Sequence, residues 1–177
     1  MECRGKCSAL WGFLVTSALG TLLHFVWDLS GGSLLTAPVS AVNESVWEHM
    51  KIFFWPIFLF LLVESSRAGV CRNYWTARAV GTMAGLALIP TIHYTYTGAL
   101  GQRRTWVDVA TFYVAAAAAW YLGSRLMAGE RRRGAALEWA ALLGLCALAF
   151  LFVRWTFAPP RLPIFQDPQT LTYGVFG

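Results

Sequence analysis

The chain has 177 residues, 57% hydrophobic and 13% charged, with a formal net charge of +5 at neutral pH. Soluble globular domains carry about 25% charged residues, so an ordinary soluble domain is excluded. The basic residues sit between apolar segments of near-spanning length, which excludes a nucleic-acid footprint and points to a polytopic membrane protein.

Arg4 and Lys6 precede the apolar run LWGFLVTSALGTLLHFVW. That run is too long for the hydrophobic region of a signal peptide and has no A-x-A-like end. It reads as the first of five spans, residues 10–29. The others are 46–63, 74–97, 106–127 and 135–157. The expected fold class is all-α: one domain, residues 1–177, built as a bundle of five transmembrane helices. No internal repeat or low-complexity tract is visible. Between spans 1 and 2 lies SGGSLLTAPVSA, unusually apolar for a loop. It reads either as a segment dipping back into the bilayer, where protein or water must satisfy its backbone, or as a hairpin on the membrane surface. Pro56 and Pro90 each remove a helix hydrogen bond and are expected to kink spans 2 and 3. Past span 5, residues 158–177 carry four prolines, including the Asp167-Pro168 step, and read as an extended tail. That tail is either a lid over the outer face or a frayed end.

With the N-terminus inside, the cytoplasmic segments hold Arg4, Lys6, Arg67, Arg72, Arg78, Arg125, Arg131, Arg132 and Arg133. The outer segments hold only Lys51, Arg103, Arg104, Arg154 and Arg161. This bias predicts a plasma-membrane protein with its N-terminus cytoplasmic and its C-terminus outside. Tryptophans fall at span ends, as an interfacial belt requires: Trp11, Trp75 and Trp139 inside, Trp27, Trp47, Trp106 and Trp155 outside. Cys3, Cys7 and Cys71 then face the cytoplasm and Cys146 lies mid-membrane, so no structural disulfide is expected. The Cys3-Cys7 spacing alone is a weak metal or lipid signal.

On this topology the polar residues converge. His24 and Asp28 end span 1, Glu44, Glu48 and His49 open span 2, His93 ends span 3, and Asp108 opens span 4. All three histidines fall in one outer layer. Residues four apart share a helix face, so His24 with Asp28, and Glu44 with Glu48, form two such pairs. Helical bundles build metal sites from inward carboxylates and imidazoles. The expected ligands are His24, Glu48, His49 and His93, holding one divalent ion: zinc, manganese or iron. Asp28 or Glu44 is expected to orient a ligand or act as general base. Arg103, Arg104, Asn43 and Trp47 are expected to contact substrate, the arginines through an anionic head group. Adjacent helical residues point about 100° apart, so the choice between Glu48 and His49 as the inward residue stays open. Blander readings stand beside these: Asn43 as N-cap with Glu44 in the first helical turn, hydrated interfacial side chains at Glu48 and Lys51, and a simple His24–Asp28 pair.

The strings HFVWDLSGG, VNESVWEHMK and FQDPQTLTYG resemble those of a family of small five-span bacterial and archaeal membrane proteins of unknown function. The resemblance covers most of the chain. It implies that His24, Asn43, Glu44, Trp47, Glu48, His49, Asp167 and Tyr173 match signature positions, and it implies no activity. In that family a glycine usually stands where this chain has Leu171, which leaves the geometry of the tail turn open.

Three functions fit these residues. The first is a metal-dependent hydrolase acting on a lipid or other amphiphile at the outer leaflet, although no H-E-x-x-H motif is present. The second is a small proton- or cation-coupled carrier, against which the bare middle of the membrane counts. The third is a non-catalytic subunit or chaperone. Whether the chain is an enzyme is left open at this stage. The partners expected are the bilayer itself, an amphiphilic ligand, and a second copy or larger membrane complex.

Overall fold

The computed structural model describes residues 5–68, 73–129 and 134–177. Five helices follow one another: α1 (Gly5–Leu29), α2 (Val46–Ala68), α3 (Tyr74–Leu100), α4 (Thr105–Met127) and α5 (Ala135–Phe157). A single 3-10 turn, Pro163–Phe165, lies in the tail. No strand forms among the described residues. The chain is the expected all-α bundle. Three of the helices, α1, α2 and α5, are long and apolar enough to cross a membrane.

α2 is the central helix and touches the other four. Around it run α1, α4, α3 and α5 in an arc, each packed on its neighbour, with α3 and α4 forming the most extensive pair. Small residues make that closeness possible. A Cβ at Gly81 would lie 2.3 Å from the Ala119 carbonyl oxygen, so the two backbones meet with nothing between them. On α1, Gly12 and Gly20 admit Trp120 and Phe112 of α4. Between them Thr16 accepts the Trp120 indole N–H at 3.0 Å. α2 buries Phe53, Phe54, Ile57 and Leu61, while α1 and α5 expose Leu14, Leu22, Leu143 and Phe150. A large apolar outer wall of this kind belongs in hydrocarbon rather than water.

The interfacial tryptophans divide. Trp11, Trp106 and Trp139 are exposed at helix ends, whereas Trp47 and Trp75 are packed inside the protein. Both α2 and α3 remain helical through Pro56 and Pro90.

The apolar loop after α1 folds back along α2. Its Ala37 carbonyl accepts from the Lys51 ammonium at 2.8 Å and its Pro38 carbonyl from the Trp55 indole at 2.9 Å. Ala37 and Ser40 are wholly buried. The loop therefore lies along the first turns of α2, with these two carbonyls satisfied by protein.

The tail is ordered. Phe165 is buried against Trp47 and Trp155, Val175 N–H donates to the Thr156 carbonyl, and Gln166 pairs with Tyr173. Leu171 sits at φ +60°, the left-handed region that a glycine occupies at no steric cost. The turn is therefore built for glycine and made here with leucine.

Cys146 is free and exposed. Cys3, Arg4, Cys71, Arg72, Arg131, Arg132 and Arg133 lie outside the described residues, as do the side chains of Lys6, Cys7 and Arg67.

Candidate metal centre at one end of the bundle

Helix α2 begins one residue after Ser45, so Glu44 is not helical. Ser45, rather than Asn43, caps the helix: its hydroxyl accepts the Glu48 N–H at 3.3 Å. Asn43 instead accepts the Ser45 N–H through Oδ1 at 3.0 Å and donates through Nδ2 to the Gly174 carbonyl at 3.3 Å. Asp167 receives the Glu44 backbone N–H at 3.4 Å. The short segment carrying Glu44 is thus pinned between helix cap and tail, and its side chain turns toward α1.

There it meets two imidazoles. Glu44 Oε1 lies 3.5 Å from His24 Nε2, and Glu44 Oε2 lies 3.8 Å from His49 Nε2. The ligand atoms of these three residues all lie within 4.8 Å of one another. His49 gives its Nδ1 to the Ser45 carbonyl at 2.8 Å. A carbonyl can only accept, so a proton sits on Nδ1, and in the neutral ring the Nε2 lone pair is the one turned toward Glu44. Second-sphere contacts of this kind fix the tautomer of metal-binding histidines.

A second group adjoins the first. Arg103, in the α3–α4 connection, donates from Nη2 to Glu44 Oε2 at 3.1 Å and from Nε to Asp108 Oδ2 at 2.6 Å. Burial opposes the guanidinium charge, but the bonds to Asp108 and Glu44 outweigh it and raise the Arg103 pKa above its ordinary value. Asp108 Oδ1 takes His93 Nδ1 at 2.9 Å and the Tyr96 hydroxyl at 2.8 Å. A space of about 20 Å³, enough for one water, separates Glu44 and His49 from His93 and Asp108.

The remaining expected site residues lie elsewhere. Glu48 turns away from the imidazoles and is 2% exposed, its Oε2 shared between Lys51 Nζ and the Val42 N–H. Of the two neighbours in doubt, His49 faces the cluster and Glu44 takes the carboxylate place that the sequence reading gave to Glu48. The i, i+4 argument linking Glu44 to Glu48 does not apply, because Glu44 precedes the helix. His93 is bound to Asp108, with Arg103 standing between that pair and Glu44. Asp28 is exposed and outside the cluster. Trp47 stacks on Phe152, Trp155 and Phe165, on the tail side of α2. Arg104 is exposed and held through its backbone, its N–H by the Tyr96 hydroxyl and its carbonyl by the N–H groups of Val107 and Asp108. No tail residue lines the space beside the imidazoles, so the tail braces the site from behind and does not cover it.

That space is a cleft of about 350 Å³ between α1, α2 and α4. His24, Glu44, His49, Arg103 and Asp108 form its polar end, and Phe25, Ile52, Val109 and Phe112 its apolar body.

Residues 7–175 match a protein family described as a family of unknown function (DUF6512). No curated protein and no solved structure matches the chain.

Proposed function

We propose, for a chain that belongs to the family of unknown function DUF6512, a metal-dependent hydrolase acting on a lipid or other amphiphile at the outer face of the plasma membrane. All five helices span in this reading, with the N-terminus cytoplasmic and the C-terminus outside. α3 and α4, of 27 and 23 residues, have the length for it.

One observation carries the reading: three ligand atoms from α1, the segment before α2, and α2 itself converge within 4.8 Å beside an open cleft. Two imidazoles and a carboxylate, with a further position open, form the donor set of hydrolytic zinc centres, and manganese or iron also accept it. A bound divalent ion supplies an acidified water and an electrophile for a substrate oxygen. The other groups are the chain's own. His49 Nδ1, held by the Ser45 carbonyl, keeps Nε2 aimed inward. Arg103 holds Glu44 in place and offsets the charge of the two carboxylates it bridges. His93, oriented by Asp108, offers its other ring nitrogen for proton transfer next to the water-sized space. The polar groups point toward one another rather than outward, which favours a site over a docking surface.

The test is metal content by mass spectrometry on detergent-purified protein, with His24→Ala and Glu44→Gln beside it. Roughly one ion per chain is expected in the wild type and none in either variant. The loaded protein is then assayed on long-chain esters and phosphoesters, with hydrolysis expected to vanish on chelation. Folded wild-type protein that takes up neither zinc, manganese nor iron would overturn the reading.

A further inference from the structure

The shape of the cleft says how a substrate reaches the imidazoles. Its back wall is Ile52 of the central helix, 3% exposed. Its floor is closed where the Phe112 ring rests against Gly20 and where Thr21 and Tyr113 share a hydrogen bond of 3.0 Å between α1 and α4. Its rim is different. Phe25 of α1 and Val109 of α4 are each 52% exposed, on the outer wall of the bundle. The cleft therefore opens sideways between α1 and α4, through a surface that is mostly apolar. A polar substrate approaching from water would not need such a side, and a chain already lying in hydrocarbon would. Its volume stands near the lower end of the ~300–1,000 Å³ typical of small-molecule sites, which suits one apolar chain and not two.

Charge identifies the head group. Two carboxylates, Glu44 and Asp108, face one guanidinium, Arg103, which leaves one negative charge when the imidazoles are neutral. A divalent ion would reverse that to one positive charge. An anionic head is attracted only to the loaded site.

We propose that the cleft takes an anionic amphiphile sideways from the outer leaflet, one chain against Phe25, Ile52 and Phe112 and its head at the His24–Glu44–His49 cluster beside Arg103. This rests on the metal site proposed above and adds the substrate class and its route.

The probe is dodecyl phosphate carrying a photoactivatable diazirine on its chain, added to full-length protein in nanodiscs of zwitterionic lipid. Zinc-loaded and chelator-stripped samples are run in parallel. Labelling is expected to concentrate on α1 and α4 around Phe25, Val109 and Phe112, and to fall severalfold on stripping. Unlabelled dodecyl phosphate should compete; inorganic phosphate and dodecyl trimethylammonium should not. Val109→Trp, which fills the rim, should abolish the localised labelling while zinc stays bound. Labelling spread equally onto the exposed face of α5, around Leu143 and Phe150, would overturn the proposal, as would equal competition by the cationic amphiphile or by free phosphate. Ion bound without localised labelling sinks this inference alone. Localised labelling in a chain that binds no ion sinks the metal site and the head-group assignment and leaves only a chain-binding cleft.

Discussion

Oε2 of Glu48 lies 2.5 Å from Nζ of Lys51, one turn further along α2, with the two side chains 2% and 0% exposed. The ammonium also donates to the Ala37 carbonyl and the Thr156 hydroxyl, each at 2.8 Å, and the carboxylate accepts the Val42 N–H. The pair thus ties α2 to α5, to the folded-back loop, and to the strand of chain that delivers Glu44. Every donor of the ammonium has a partner, which is the condition for a buried charge to be tolerated.

Removing one member leaves the other buried without a counter-ion. Glu48→Gln and Lys51→Met are each expected to cost about 3–5 kcal/mol, read as a lowered thermal midpoint in detergent. The double variant should recover much of that loss. Protein that remains folded should keep its ion, because neither side chain faces the imidazoles. Folded Glu48→Gln that has lost the ion would put Glu48 back among the ligands.

Ion binding should weaken in acid. A ligating imidazole must be neutral, so protons compete with the metal as pH falls. With His24 and His49 both ligands, the apparent affinity should drop more steeply than a single protonation allows. A zinc titration across pH 5–8 reads this, and a flat profile would argue against two imidazole ligands. His93→Ala, which leaves all three ligands in place, should change the pH profile of hydrolysis and not the ion content.

Leu171 stands at φ +60° and its side chain is 67% exposed, so the conformation is strained and little packing compensates. A left-handed non-glycine residue costs about 1–2 kcal/mol, and glycine loses part of that gain through its freer unfolded chain. Leu171→Gly is expected to raise stability by about 0.5–1 kcal/mol, seen as a higher midpoint. A lower midpoint would mean that the leucine side chain holds the turn after all. By contrast Asp167→Asn, which weakens the contact to the Glu44 N–H, should lower ion affinity more than it lowers stability.

The α3–α4 contact allows no side chain at Gly81, since its Cβ would fall 2.3 Å from the Ala119 carbonyl oxygen. Gly81→Val should separate the helices and cost about 1–3 kcal/mol or more. Gly98→Ala, in the same helix with open space around it, should be near neutral. Equal effects at the two positions would show that helix propensity and not close packing is responsible.

The helices were largely legible because hydropathy reports which segments prefer hydrocarbon. α5 has the expected limits, 135–157. α1 begins at Gly5 and α2 runs on to Ala68, beyond the expected ends, because a helix continues into polar sequence that a hydropathy reading cuts off. The folded-back loop was hinted at by its apolar composition, and the two side chains that satisfy its carbonyls, Lys51 and Trp55, come from further along the chain than local pattern can reach.

The axial level of the candidate site was likewise determined by sequence alone: a residue's distance along a spanning helix follows from counting at 1.5 Å per residue. That is why His24, Asp28, Glu48, His49, His93 and Asp108 could be placed in one layer before any contact was known, with Glu44 just ahead of it in the chain. Which of them meet was decided only by the tertiary structure. Rotation about each helix axis turns Glu48 inward to Lys51 and His49 toward His24, and hydropathy is nearly blind to that rotation when a helix is apolar all round. Glu44 joins the imidazoles because the tail, some 120 residues later, pins the segment before α2 through Asp167 and Gly174, a constraint carried by long-range hydrogen bonds and absent from any local spacing.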